Sequence, residues 1–408
     1  MVNVKRSIGA IAGCLVLFAV ARAFAQDWPQ WRGPNRDGKA VGFAAPAAWP
    51  KELVQKWKIT VGLGDASPAL VGDRLYVYAR QENEEVILCL NAADGNEIWR
   101  DKYPAIEITG PSASHSGPRS SPTVADGKVV TLGLDCVLSC LDAATGKLLW
   151  RNKEYAKAEP QFNPSMSPIV VDGVCVVQLG VKDTGVVLAL DLTTGDTKWK
   201  WGPGDCPGLA SPVLMTIDCV KQIVTLTEKR IVSVATVDGK LLWEIPFEAK
   251  GRSFNAPSPI ADGQTVVYTA AGRGTKSAKI EKQGDVFVVS ELWKSPVATI
   301  FNTPVLKDGF LYGLSEKSNL FCINAKNGEE AWTAKDKLSQ FGSIVDAGAV
   351  LIALTEKNGM IVYKPNEKQY EEVARYKVCD TPVYPHPVIA GKRIFIKDKD
   401  SLALWTIE

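Results

Sequence analysis

One phrase recurs along this chain at a nearly fixed distance. It reads CLNAADGNEIW (residues 89–99), CLDAATGKLLW (140–150), ALDLTTGDTKW (189–199), SVATVDGKLLW (233–243) and CINAKNGEEAW (322–332). A second mark keeps the same beat. Ser-Pro or a close equivalent opens each unit at Ser67, Ser121, Ser167, Ser211, Ser258, Thr303, Ser343 and His386, at intervals of 40 to 54 residues. Eight units of this period, rich in Val, Ile, Leu and Thr and punctuated by Asp-Gly and Thr-Gly, predict an all-β, eight-bladed propeller of four-stranded antiparallel blades. A chain of 408 residues would otherwise be divided into two or three domains; the repeat assigns residues 53–408 to one ring.

The second unit shows the grammar. SPTVAD forms the first strand, with Pro122 at its start, where a missing N–H costs no ladder bond. Asp126-Gly127 turns the chain, KVVTLG and VLSCLD follow, and AATG turns into the outer strand KLLWRN. The recurring phrase is therefore the last hairpin of a blade. Four residues before each terminal Trp stands Gly95, Gly146, Gly195, Gly239 or Gly328, at a loop position that needs positive φ. Eight residues before it, Asn91, Asp142, Asp191 and Asn324 can accept bonds from the loop's own N–H groups; the fourth unit has Ala235. A lone sheet cannot cover both its faces, so Trp57, Trp99, Trp150, Trp199, Trp243, Trp293 and Trp332 are expected to dock on the neighbouring blade. The chain ends in SLALWTIE, one strand short of a full eighth unit. LVQKWKIT (53–60) is an outer strand with no unit of its own. Pairing the two would close the ring and leave no open edge.

Upstream, residues 1–25 read as a secretory signal peptide: basic Lys5 and Arg6, an apolar run from Ile8 to Val20, and Ala23-Phe24-Ala25 as the cleavage site. The expected mature chain starts near Gln26, with residues 26–52 as an N-terminal arm, and is exported to the periplasm or the extracellular space. Ile11-Ala12-Gly13-Cys14 has the look of a lipoprotein box, but the apolar run continues past Cys14 instead of preceding it, so a lipid anchor there is not expected. No transmembrane segment is expected in the mature chain. Removing the signal leaves 44 basic against 45 acidic residues, which gives no field for nucleic acid. Cys89, Cys140 and Cys322 occupy the position where other units carry Ala189 and Ser233, so they read as small packing residues.

The repeated A-x-D-x-x-T-G-x-x-x-W pattern, running from about Leu53 to the end, resembles the PQQ-type repeats of the quinoprotein alcohol dehydrogenase-like superfamily. DWPQWRGPNRDG (27–38) is similar to an opening common in secreted bacterial members. The superfamily mixes dehydrogenases with non-catalytic scaffolds, among them an eight-bladed outer-membrane assembly lipoprotein, so the resemblance implies a fold more firmly than an activity. Its dehydrogenases hold pyrroloquinoline quinone (PQQ) over the axis with a Ca²⁺, an Asp base and two adjacent cysteines. This chain has no Cys-Cys pair and no Cys-x-x-Cys-His.

With only His115 and His386, no zinc cluster or histidine triad can be assembled, and no catalytic or metal residue is assigned. The segments before the first strands, which surround the axial mouth, repeat Phe162-Asn163, Phe254-Asn255 and Phe301-Asn302, with Phe341-Gly342 as a degraded copy. They offer either a partial ring of aromatic faces and amides for a polar planar ligand or peptide, or a turn in which Asn caps the strand entry. The longest inter-unit segment, 101–120, could carry His115 and Arg119 over the axis. The fifth unit lacks the Thr-Gly hairpin and bears Arg273, Lys276, Lys279 and Lys282, either a docking patch for an acidic partner or a solvated hairpin. The expectation is a monomeric, non-catalytic scaffold for a protein or peptide partner in the cell envelope. A PQQ/Ca²⁺-dependent alcohol or sugar dehydrogenase is the alternative.

Overall fold

The computed structural model describes residues 27–156, 164–181, 183–202, 204–205, 207–249, 254–357 and 359–408. The signal-peptide residues, Cys14 and the Phe162-Asn163 pair lie outside them. Eight four-stranded antiparallel sheets form a closed propeller. Seven blades use consecutive strands, from Ala69–Val71 through Glu97–Pro104 in blade 1 to Gly342–Ala347 through Glu372–Tyr376 in blade 7. Blade 8 combines Val388–Ala390, Arg393–Lys397 and Ser401–Thr406 with the N-terminal strand Val54–Thr60. In that closure Lys58 faces Ala403 and Ile59 faces Leu402, with a bulge between Gln55 and Trp57.

Burial follows strand position. The second and third strands of a blade are buried almost throughout, as in Arg74–Gln81 and Glu84–Asn91, because neighbouring blades cover both faces. The outer strand Glu97–Pro104 exposes most residues and buries Trp99 and Tyr103. The hydrophobic core is consequently a circle of seams, such as Leu132, Leu138 and Cys140 of blade 2 against Cys175, Val177 and Leu188 of blade 3.

Six of the eight seams are fastened at the perimeter by the Trp of an outer strand. Trp99 lies over Gly146 of blade 2, Trp150 over Gly195 of blade 3, Trp199 over Gly239 of blade 4 and Trp293 over Gly328 of blade 6; a β-carbon on any of these glycines would come within 2.4 to 2.7 Å of the indole. Trp57 covers Gly95 in the same way across the closing seam. Indole N–H groups then donate to the next blade's hairpin: Trp99 to Ala143 O, Trp150 to Leu192 O, Trp199 to Thr236 O, Trp293 to Ala325 O and Trp332 to Asn366 O. Trp243 departs from the pattern. Blade 5 carries a long hairpin, Gly274–Gln283 with Val286–Ser295, and Trp243 packs against its Ala278 and Ile280 while donating to Gln222 Oε1 in its own blade. Blade 7 has Ala374 in the Trp register, and its neighbour, blade 8, has no such hairpin for an indole to cover.

Near the axis the unit openings are linked in an arc that leaves out Ser343 of blade 7. The His386 N–H donates to Ser67 Oγ, Ser67 N–H to Ser121 Oγ, and so on through Ser167, Ser211 and Ser258 to Thr303 Oγ1, at 2.8 to 3.0 Å. Below it, residues 27–40 cross the ring. Trp28 exchanges two backbone bonds with Leu70 of blade 1, Pro29 O accepts from Val124 of blade 2, and Gly38 and Ala40 bond to Asp346 of blade 7. The fully buried Arg36 reaches Ser167 O and Pro168 O of blade 3, while the fully buried Arg32 reaches Thr303 O and Pro304 O of blade 6. Between them stands Trp31, its ring 5.5 and 5.4 Å from the two guanidinium carbons and edge-on to His386 at 5.8 Å.

Candidate functional site

The axis opens into a funnel of about 340 Å³, bordered by the serine arc, with Trp31 among its lining residues. Segments preceding the first strands of the blades supply its walls. Asp65 precedes blade 1; the 3-10 turn Gly110–His115 and the chain after it bring Ser112, His115 and Arg119 to the mouth. Phe254, Phe301 and Phe341 supply further wall, and Tyr384 stands between Phe341 and His115.

Among the residues expected at the mouth, the structure thus brings His115, Arg119, Phe254 and Phe301 together. His115 Nδ1 meets Asp65 Oδ2 at 2.6 Å, and its ring packs edge-on to Tyr384 at 4.8 Å. The Arg119 guanidinium donates one 3.3 Å bond to His115 O. Burial draws its pKa down, with the Asp65 charge opposing. Phe301 stacks on Phe341, centroids 4.6 Å apart and planes 7° apart, and Tyr384 stands edge-on to Phe341 at 5.2 Å.

The amides point elsewhere. Asn255 Nδ2 donates to Thr227 O and Phe247 O, and its Oδ1 accepts from Arg273. Asn302 donates to Leu314 O and accepts from Leu314 N–H. Both are 2% exposed; Asn255 braces its loop against the preceding blade, blade 4, and Asn302 against its own blade 6. Arg273 belongs to the same brace, its guanidinium 4.1 Å from the centre of the Phe247 ring, and Lys279 pairs with Glu281. Sequence reasoning missed Trp31, Asp65, Phe341's stacking role and His386. The last was visible as the one histidine at a unit opening.

Could this funnel hold PQQ with Ca²⁺? Calcium takes about six to eight oxygen ligands with several carboxylates. Among the described residues, the lining contributes one carboxylate, Asp65, already engaged by His115. Among the described residues, no three His, Cys, Asp or Glu side chains converge. This donor set does not fit the cofactor.

The family described as "Outer membrane protein assembly factor BamB" matches residues 44–179 and 82–334. The chain belongs to this family. A BamB of Yersinia pestis is 21% identical over 360 residues, covering 84% of this chain and 85% of that protein. A quinohemoprotein alcohol dehydrogenase of Comamonas testosteroni is 28% identical over 148 residues, which is 35% of this chain and 20% of the enzyme. Among solved structures, BamB from Moraxella catarrhalis superposes with TM-score 0.64 at 15% identity, over 87% of this chain and all of that one. The Comamonas testosteroni enzyme superposes with TM-score 0.70 at 14% identity, over 94% of this chain and 81% of its own. The BamB-like ring and the dehydrogenase ring thus share one fold, and the fold alone does not choose between their activities.

Proposed function

We propose that this BamB-family protein is an exported, non-catalytic binding module that holds a protein or peptide partner in the cell envelope and serves outer-membrane protein assembly. The observation that carries this reading is the extent of the likeness. In sequence it runs nearly end to end with an assembly factor, whereas it reaches one fifth of a dehydrogenase. The funnel supports it, because the one carboxylate among its described lining residues is held by His115 and its polar edge is set among aromatic rings.

Two measurements test the proposal. Photo-crosslinkers replace exposed Val237, Val286 and Phe301 in cells. Adducts with the same envelope protein, repeated between preparations, are expected from at least one position, and silence from all three counts against a scaffold. The purified protein is also incubated with PQQ and Ca²⁺. No change in melting temperature and no reduction of an artificial electron acceptor are expected; a shift accompanied by turnover would establish the dehydrogenase instead.

A further inference from the structure

We propose that the axial funnel is an anchor pocket for a polypeptide segment presenting a carboxylate beside an aromatic side chain. The inference rests on the binding-module reading and gives that module's ligand a chemistry. It begins with a cation whose hydrogen-bonding capacity is nearly unspent. Asp65 is the one carboxylate among the described lining residues; its field reaches Arg119, but its oxygen meets His115 at 2.6 Å, and among the described residues the Arg119 guanidinium makes a single 3.3 Å bond to a carbonyl. A guanidinium so placed can take a carboxylate through two parallel N–H bonds. The field below adds to it. Arg32 and Arg36 are fully buried under the floor and bond to carbonyls and Gln30 Oε1; among the described residues neither forms an ion pair. Two buried positive charges at the base of a low-dielectric funnel focus a positive potential toward its mouth.

Unspent hydrogen-bonding groups point the same way. Ser112 Oγ and His386 Nδ1 belong to residues that line the funnel, and both atoms are buried without a partner among the described residues. Burial and the Arg32 charge push the His386 pKa down to about 3, so the imidazole is neutral and can donate or accept. Orphaned buried polar atoms are costly and call for an occupant. Another wall is apolar and planar: the Phe301–Phe341 stack with Tyr384 at its edge, Phe301 remaining 40% exposed. Such an array receives one more ring edge-on or stacked. A space of about 340 Å³ with Trp31 lining it suits one or two residues of a chain and excludes a folded domain.

Calorimetric titration of the full mature protein tests this with N-acetylphenylalanine, its uncharged amide, and N-acetylalanine. The acid should bind at least about tenfold more tightly than either control. Arg119→Gln should abolish that preference with little change in melting temperature, and Arg119→Lys should keep part of it. Capped peptides carrying an internal Phe-Asp, compared with peptides ending in a free Phe carboxylate, then show whether a side chain or a chain terminus supplies the charge. Equal binding of acid and amide, an unchanged preference in Arg119→Gln, or no binding of acid or peptide up to about 10 mM would overturn the proposal. Crosslinks at Val237 or Val286 persisting beside such a failure would leave the binding module standing and discard only its axial anchor.

Discussion

At the scale of single residues, the repeat's glycines carry two constraints of which one was legible. Position four before the Trp had to be Gly for a hairpin with positive φ, and Gly239 has φ +71°. That a neighbouring blade's indole would lie on the missing side chain required knowing which surface the Trp reaches. The two constraints can be separated, because Gly127 has the same φ of +71° but open space around it. Gly127→Ala should cost about 1–2 kcal/mol for the left-handed backbone. Gly239→Ala should cost about 1–3 kcal/mol more, since its β-carbon would sit 2.4 Å from Trp199. Equal losses in urea denaturation would mean that the indole yields freely. The unit-opening serines had a similar hidden half: Ser-Pro was readable as a strand start, but a hydroxyl accepting from the preceding blade's N–H depends on the blades' spacing. His386, whose N–H starts that run of bonds, makes a pH prediction. Its folded pKa of about 3 lies below the ordinary 6.5, so between those values the unfolded chain binds a proton that the folded protein refuses. Stability is therefore full above pH 6.5 and drains as pH falls toward 3, with His386 contributing about 3 kcal/mol of the loss by pH 4. His386→Asn should flatten the acid limb of the stability curve by that amount; parallel limbs would show that the imidazole is not held neutral.

At the scale of elements, the strands were legible because each blade repeats the same alternation between a buried interior and a half-exposed outer strand. The closure was legible because the last unit lacked one strand and the first segment had one to spare. What could not be read was the direction of side chains in the loops before the first strands. Phe254-Asn255 and Phe301-Asn302 look like one motif, yet the path of each loop turns the Asn amide away from the mouth, onto carbonyls of the preceding blade for Asn255 and of its own blade for Asn302, while leaving the Phe at the funnel. The fifth blade's long hairpin was legible as an exception, and the structure adds that it covers Trp243 where no hairpin glycine serves. Closure has a sharp test. Ser401–Thr406 pairs on one side with Arg393–Lys397 and on the other with Val54–Thr60. Successive N–H groups along a strand point to opposite neighbours, so proline at either of two adjacent positions must break a ladder bond. Ala403→Pro and Leu404→Pro, the latter measured against Leu404→Ala, should each cost about 3 kcal/mol or more. Tolerance of one of the two would make this strand an open edge and leave Val54–Thr60 elsewhere.

At the scale of the whole molecule, a propeller resembles a linear stack of repeats whose ends have been joined, and what joins them sets how it unfolds. A linear array can lose its terminal units first, since each unit contacts only its neighbours. Here residues 28–60 reach six of the eight blades: Val54–Thr60 completes blade 8, and residues 28–40 bond to blades 1, 2, 3, 6 and 7. The sequence marked the arm only as an opening motif, because its contacts are with backbone carbonyls all round the ring, and carbonyls leave no trace in a pattern of side chains. Arg32 and Arg36 are the spokes. Hydrogen bonds from a charged donor to buried acceptors contribute about 1.5–3 kcal/mol each, and removing a spoke also leaves the carbonyls of Thr303 and Pro304, or of Ser167 and Pro168, without those donors. Arg32→Gln and Arg36→Gln should therefore each lower the urea midpoint, and the double variant should lower it further. All three should keep a single transition with an unchanged slope, because the arm stabilises the ring as one body. A first transition confined to one or two blades, seen as a split between tryptophan fluorescence and circular dichroism, would show that the arm is a local strap and that the ring holds without it.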